Sequence, residues 1–260
     1  MNILDTIVAQ KRKEVAAKKD VFPVTLLERS LLFSRMPRSL AQALRTSKTG
    51  IIAEFKRRSP SKSVINNAAK VHTIALVYEQ AGVSGISVLT DTPFFGGSLD
   101  DLLLARSTVD LPLLRKEFIV DPYQIYEAKA YGADAILLIA ACLSEQEIMA
   151  LSTLAKALLL DVLVEVHSVE ELKRSLHATI DMVGVNNRNL KTFEVDPTTS
   201  TALSIEIPST FVKVSESGIR TSQHIKDLRS YGFQGFLIGE QFMKSEDPAN
   251  EVQQFMRALL

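Results

Sequence analysis

IIAEFKRRSPSKS, residues 51–63, sets the reading of the whole chain. It opens as a strand, with Ile51, Ile52, Ala53 and Phe55 apolar, yet Glu54 and Lys56 stand two residues apart and so share one face. Charges inside an otherwise buried strand are costly unless partnered, and such pairs collect at active sites. The stretch then runs into Arg-Arg-Ser-Pro-Ser-Lys, hydroxyls and cations suited to gripping an anion. It reads as a β-strand whose C-terminal end opens onto a catalytic pocket.

Outward from that strand the chain repeats one unit. β-rich runs recur at 51–55, 85–89, 113–118, 134–139, 162–166, 182–186, 211–215 and 235–238. Helical patterns lie between and after them at 71–81, 99–107, 122–131, 144–159, 168–177, 197–203, 221–230 and 248–258. The strand starts are about 20 to 34 residues apart, the length of a βα unit. Gly82, Gly132 and Gly232 follow three of the helices at the C-cap position. Eight such units predict a (β/α)8 TIM barrel over 51–260; a doubly wound sheet has fewer, and no GxGxxG follows the first strand. Residues 1–50 form an N-terminal helical extension, with helices at 3–20 and 39–45 around an irregular 22–35, that covers one end of a single domain spanning 1–260. In the first helix Ile3, Leu4, Ile7, Val8 and Val15 make the apolar side, and Lys11, Arg12, Lys13, Lys18 and Lys19 fall mostly on the solvated side.

Thirty basic and thirty acidic residues cancel, which argues against nucleic acid as a partner. Cys142 is the lone cysteine, suited to a reducing compartment, and reads as a small buried hydrophobe. No run approaches the length of a membrane span and no signal-peptide core opens the chain, so a cytoplasmic protein is expected. The four histidines, His72, His167, His177 and His224, form neither HExxH nor a ligand cluster, so no metal is expected, and His167 is expected to face outward or into a loop.

TIM barrels carry their chemistry at the C-terminal ends of the strands. The inward phase there reads Ile52, Glu54 and Lys56; Leu114, Lys116 and Phe118; Leu163 and Glu165; Met182, Gly184 and Asn186, with Arg188 just beyond; and Phe211, Lys213 and Ser215. Val162, Val164, Val166, Val183 and Val185 take the helix-facing phase. Glu54, Lys56, Lys116 and Glu165 thus converge, with Lys213 as a fifth charge; crowding of this kind drives pKa values apart and creates acid and base roles. A structural ion-pair network is the alternative. Ser217-Gly218 and Gly239-Glu240 follow the last two strands, the usual phosphate site of the fold, with the Glu240 carboxylate expected to point away. Phe94-Phe95-Gly96-Gly97 after the second strand suits a wall for a flat ring, Phe95 more than Phe94.

Together AEFKRRSPSKSVI, SVLTDTPFFGGSLDDL, LLRKEFIVDPYQIYEAKAYGADAILLI, LVEVHS, VGVNNRNLKTFEVD, SESGI and FLIGEQFM resemble the indole-3-glycerol-phosphate synthase family of tryptophan biosynthesis. The resemblance runs along essentially the whole chain, the N-terminal helix included. It implies ring closure of 1-(2-carboxyphenylamino)-1-deoxyribulose 5-phosphate, a small anionic substrate, with loss of carbon dioxide and water and no cofactor. Carried over by motif, it makes Lys116 the general acid, Glu165 its acid/base partner, Lys56 a contact to the anionic groups and second acid, and Glu54 and Asn186 the orienting groups. Phe95 and Phe118 then resemble the aromatic wall, Arg188 and Ser217 site-lining residues, and Ser59, Gly218, Gly239 and Glu240 phosphate or loop contacts. Transient association with other tryptophan-pathway enzymes belongs to the same expectation. Ser63 stands where the family often has Gly, and Asn189 where it often has Asp. The rival readings are another phosphosugar barrel enzyme, such as phosphoribosylanthranilate isomerase or the tryptophan synthase α-chain, and a barrel kept as a scaffold or ligand sensor.

Overall fold

The computed structural model describes residues 3–190 and 192–260. Eight parallel strands, β1 (Ile51–Phe55), β2 (Gly85–Leu89), β3 (Leu113–Lys116), β4 (Ala135–Ile139), β5 (Asp161–Val166), β6 (Met182–Asn186), β7 (Val212–Glu216) and β8 (Phe233–Ile238), close into a barrel in chain order. β8 pairs back onto β1, with Ile51 opposite Phe236 and Ala53 opposite Ile238. The expected strands and repeat-unit helices are all present, with ends shifted by a residue or two, and Gly82, Gly132 and Gly232 take left-handed φ values of 81, 86 and 83°. β3 stops at Lys116, two residues short of expectation, because Glu117 leaves the ladder and turns its own carboxylate onto the Phe118 N–H at 2.9 Å.

The alternation of side chains builds two cores. Ile52, Leu114, Leu137, Leu163, Met182, Val212, Val214 and Leu237 fill the barrel interior. Ile51, Ile86, Val88, Ile136, Leu138, Val162, Val164, Val183 and Val185 face the helices.

β7 corrects the expected phase. Its inward residues are Val212, Val214 and Glu216, while Lys213 and Ser215 point outward and Phe211 precedes the strand. The reason is energetic: two valines fill the closed end of the barrel at no electrostatic cost. Lys213 instead runs to where two helices end, donating to the carbonyls of Ser204 at 2.6 Å and Tyr231 at 3.4 Å. Orphan helix carbonyls carry partial negative charge and suit a cation. A register shift between β7 and β8 lies at this point, between Lys213 and Val214.

The N-terminal extension serves both ends of the barrel. α1 (Ile3–Val21) lies across the C-terminal mouth with Ile7, Lys11 and Val15 buried at helical spacing, so Lys11 is not on the solvated side. α2 (Val24–Leu27) is a single turn inside the stretch expected to be irregular; four residues are too few to show a period. α3 (Leu40–Thr46) plugs the opposite end, placing Leu40, Ala41 and Leu44 in the interior core. The Ser39 hydroxyl caps α3 by accepting from Gln42 N–H at 3.0 Å, and Asp161, the first residue of β5, accepts from the Ser39 hydroxyl at 2.7 Å and Ala41 N–H at 2.9 Å.

Candidate active site

β1, β3, β5, β6 and β7 each bring a polar side chain to the mouth of the barrel. Lys116, ending β3, donates to Glu165 of β5 at 3.0 Å and to Glu216 of β7 through a very short hydrogen bond. Lys56, just past β1, pairs with Glu54 at 2.7 Å. Asn186 of β6 donates to the other Glu165 oxygen at 3.0 Å and accepts from Arg188 N–H at 3.0 Å. All three carboxylates are buried, each less than 5% exposed. Two missing side chains make room for them. A Cβ on Gly184 would sit 2.4 Å from Glu216 Oε1, and one on Gly239 would sit 2.6 Å from Glu54 Oε1.

The charges do not balance: three carboxylates share two lysines. Burial disfavours the Lys116 ammonium, but Glu165, Glu216 and Glu54 outweigh it and hold its pKa well above the ordinary lysine value. Burial also opposes ionisation of Glu165; Lys116, His167 and the Asn186 hydrogen bond more than offset this, and its pKa falls below the usual carboxylate range. Glu216 goes the other way. Burial dominates, the charges of Glu165 and Glu54 add to it, and its pKa rises despite Lys116. Its Oε1 is buried and receives no hydrogen bond from the described residues. One cluster therefore holds a fixed cation, a fixed anion and a carboxyl that keeps its proton longer than usual.

Two compartments meet at this cluster. The larger encloses about 940 Å³ of space open at the mouth and is walled by Ile3, Leu4 and Ile7 of α1 together with Phe95, Phe118, Leu137, Ile139 and Leu190, with Ser59 and Arg188 at its edge. The Phe95 and Phe118 rings stand 5.8 Å apart, tilted by 39°. The smaller, about 610 Å³, is polar and bounded by Arg188, Ser217, Gly218, Arg220, Gly239, Glu240 and Lys244. Glu54, Lys56, Arg188, Ser217 and Leu237 belong to both. Ser217 and Gly218 adopt left-handed φ values of 65 and 78°, a strained turn for Ser217 that Asn187 holds by donating to its carbonyl at 3.0 Å. Glu240 begins a short helix (Glu240–Met243), and its carboxylate lies among the cations rather than away from them, 2.5 Å from Lys62 and 3.8 Å from Arg188.

Every site residue expected from the sequence lines one of these compartments, whereas Lys213 does not. Phe94 and Cys142 stay out of the lining. His167 does not face away: its Nε2 is 3.5 Å from Glu165, behind the carboxylate, and its Nδ1 is 3.3 Å from Glu171. Glu216 was hidden by the wrong phase on β7. An acid in register with Val212 and Val214, at the end of a barrel strand, meets the same rule that picks out Glu54 and Glu165. Among the described residues no group of three or more His, Cys, Asp and Glu is arranged to hold a metal ion, and no helix is long and apolar enough to cross a membrane.

The family model described as indole-3-glycerol phosphate synthase matches residues 4–255. The chain belongs to that family. Members are carboxy-lyases of tryptophan biosynthesis. An indole-3-glycerol phosphate synthase from Bacteroides thetaiotaomicron is 48% identical over 258 residues, 99% of each chain. One from Verminephrobacter eiseniae is 44% identical over 256 residues, 95% of this chain and 96% of that one. Among solved structures, 3-hexulose-6-phosphate synthase from Salmonella typhimurium superposes with a TM-score of 0.61 at 17% identity, covering 81% of this chain and 98% of the other. The tryptophan synthase α subunit from Legionella pneumophila gives 0.61 at 12% identity, covering 86% and 97%. Likeness at that identity speaks to the barrel alone. The synthase family is set apart by relatives that match along the full length, N-terminal extension included.

Proposed function

We propose that the chain closes the ring of 1-(2-carboxyphenylamino)-1-deoxyribulose 5-phosphate, giving indole-3-glycerol phosphate, carbon dioxide and water. The observation that carries this reading is the shared wall: an apolar compartment that holds Lys116, Glu165 and Glu216 and a cation-lined polar one meet at Glu54, Lys56, Arg188 and Ser217. A substrate with a benzoate at one end and a phosphate at the other would place its carbonyl between them.

Ring closure needs a proton at the carbonyl oxygen as the aryl carbon attacks, and Lys116 stands ready as an ammonium. Loss of carbon dioxide then restores the aromatic ring, and dehydration needs an acid for the departing hydroxyl and a base for the released proton. Glu165, kept ionised, is the base partner; Lys56 meets the anionic groups and acts as second acid; Glu54 and Asn186 orient the reacting centre. Glu216, absent from the expected set, is assigned the return of a proton to Lys116. Ser217, Gly218, Gly239 and Arg188, with the Glu240 backbone, take the phosphate; Phe95 and Phe118 take the ring, and Ser59 closes the loop over it. On the same reading the whole chain acts as one domain in the cytoplasm, with transient association with other enzymes of its pathway.

The test is a fluorescence time course with that substrate. The chain contains no tryptophan, so indole emission would arise from product over almost no protein background. A rising signal lost in Lys116→Ala supports the assignment; a flat trace from folded wild-type protein overturns it.

A further inference from the structure

Lys11 takes no part in the chemistry above and does not line either compartment, yet it is buried, only 5% exposed. It sits one helical turn after Ile7 on α1, on the stripe that faces the mouth. Its ammonium lies 3.0 Å from Asp91 Oδ2, 3.2 Å from Glu117 Oε1 and 2.9 Å from Glu14. The first two carboxylates are the ones that fix the aromatic wall. Asp91 Oδ1 accepts from the backbone N–H of Phe94 at 2.8 Å and of Phe95 at 3.2 Å. Glu117 Oε1 accepts from Phe118 N–H at 2.9 Å, and its other oxygen accepts from the Thr90 hydroxyl at 2.8 Å. Asp91 has no exposed surface, so without a cation it would be an uncompensated buried charge.

We infer that Lys11 is a positioning residue for ring recognition: it ties the N-terminal helix to the two carboxylates that hold the backbones of Phe95 and Phe118. The helix supplies one side of the ring compartment and the two phenylalanines another, and this lysine fixes their separation. The inference rests on the reading of the apolar compartment as the ring subsite. It makes ring affinity depend on a side chain that never touches the ring, while the polar compartment, walled by the turns after β7 and β8 with Lys56 and Arg188, is left alone.

The experiment compares Lys11→Met, which keeps the stem and removes the charge, with Lys11→Arg, which keeps the charge. Anthranilate serves as the ring-only probe and inorganic phosphate as the probe of the other compartment. Lys11→Met is expected to weaken anthranilate, and to raise KM for the full substrate, by about tenfold or more, with phosphate affinity within about twofold of wild type. Amide exchange at Phe94, Phe95 and Phe118 should quicken by about tenfold or more while strand amides keep their protection. Lys11→Arg should recover most of both. Equal weakening of both probes would mean a merely structural lysine and would overturn the inference, as would unchanged exchange and unchanged anthranilate binding. Phe95→Ala separates the two layers of the argument: if it leaves anthranilate binding intact, the ring subsite is misplaced, whatever the exchange data say of Lys11. Should Lys11→Met not fold, Asp91→Asn cuts the same tie while leaving an amide oxygen for Phe94 and Phe95. Unaltered anthranilate binding there would overturn the inference too.

Discussion

At the N-terminal end of the strands Asp134 is fully buried and saturated. One oxygen accepts from Arg35 at 2.7 Å and from Arg38 N–H at 2.7 Å; the other accepts from Arg106 at 2.9 Å and from Leu113 N–H at 2.8 Å. At the C-terminal end Glu54, Glu165 and Glu216 are nearly as buried, but they outnumber their lysines, border open space and leave Glu216 Oε1 without a partner among the described residues. The residue types are alike, and the difference is completeness. A buried charge with every lone pair occupied serves the fold; a carboxyl such as Glu216, with an acceptor to spare and a raised pKa, can exchange protons with a substrate.

Substitution at each end should break the two clusters in different ways. Lys116→Ala should lower kcat by about 10²- to 10⁴-fold, the usual worth of a positioned acid, while thermal melting stays close to wild type; turnover near normal would remove Lys116 as the acid. Asp134→Ala should do the reverse. Its two guanidinium partners lose their anion, so unfolding stability should drop by about 3–5 kcal/mol with kcat of the folded fraction unchanged, measured by urea titration beside steady-state rates. A stable Asp134→Ala would show that the saturated cluster matters less than its hydrogen bonds suggest.

Glu216→Gln sharpens the comparison with pH. The folded carboxyl holds its proton above the pH at which the unfolded one releases it, so ionising it costs stability as pH rises through the folded pKa. Glutamine removes that cost. The variant should gain about 1 kcal/mol or more relative to wild type at alkaline pH, by the free energy of a one-unit shift, and show no such gain below about pH 4. Its turnover should fall throughout. Denaturant titrations across pH would reveal a flat difference if Glu216 were an ordinary carboxylate. His167 should give the smallest effect. Burial works against its charge, but the Glu171 hydrogen bond and the charges of Glu165 and Glu171 raise its pKa overall. That stabilisation is present below about pH 6.5 and lost as pH climbs through the folded value, so His167→Gln should cost up to about 1 kcal/mol at pH 5.5 and little at pH 8.5.

Most of the fold was legible because each βα unit repeats the same contrast, a short run of alternating or continuous apolar residues followed by a helical period. Glu165 was legible for a related reason, as a charge on a strand whose other phase is Val162, Val164 and Val166, and Lys116 as a charge in phase with Leu114 and Phe118 at the end of its strand. β7 gave no such contrast. Phe211, Lys213 and Ser215 interleave with Val212, Val214 and Glu216, and either set can be drawn inward. The choice was made by what lies outside the strand, two helix ends with carbonyls to satisfy, which no local pattern displays. Lys11 was hidden likewise. A lysine among lysines reads as solvated, and its partners Asp91 and Glu117 are 80 and 106 positions further along the chain.

The plug formed by α3 also bears on the order in which the molecule can be made. Leu40 and Leu44 belong to the interior core with Val212 and Val214, and Arg45 donates to the Thr210 carbonyl at 2.6 Å. A segment made early therefore docks against one made 165 residues later. At about 5 to 20 residues per second, α3 waits on the order of ten seconds or longer with its leucines uncovered before β7 and β8 exist. Nascent chains arrested short of β7 should accordingly attract chaperones through residues 40–46, and a circular permutant that begins at β7 should shorten that exposure.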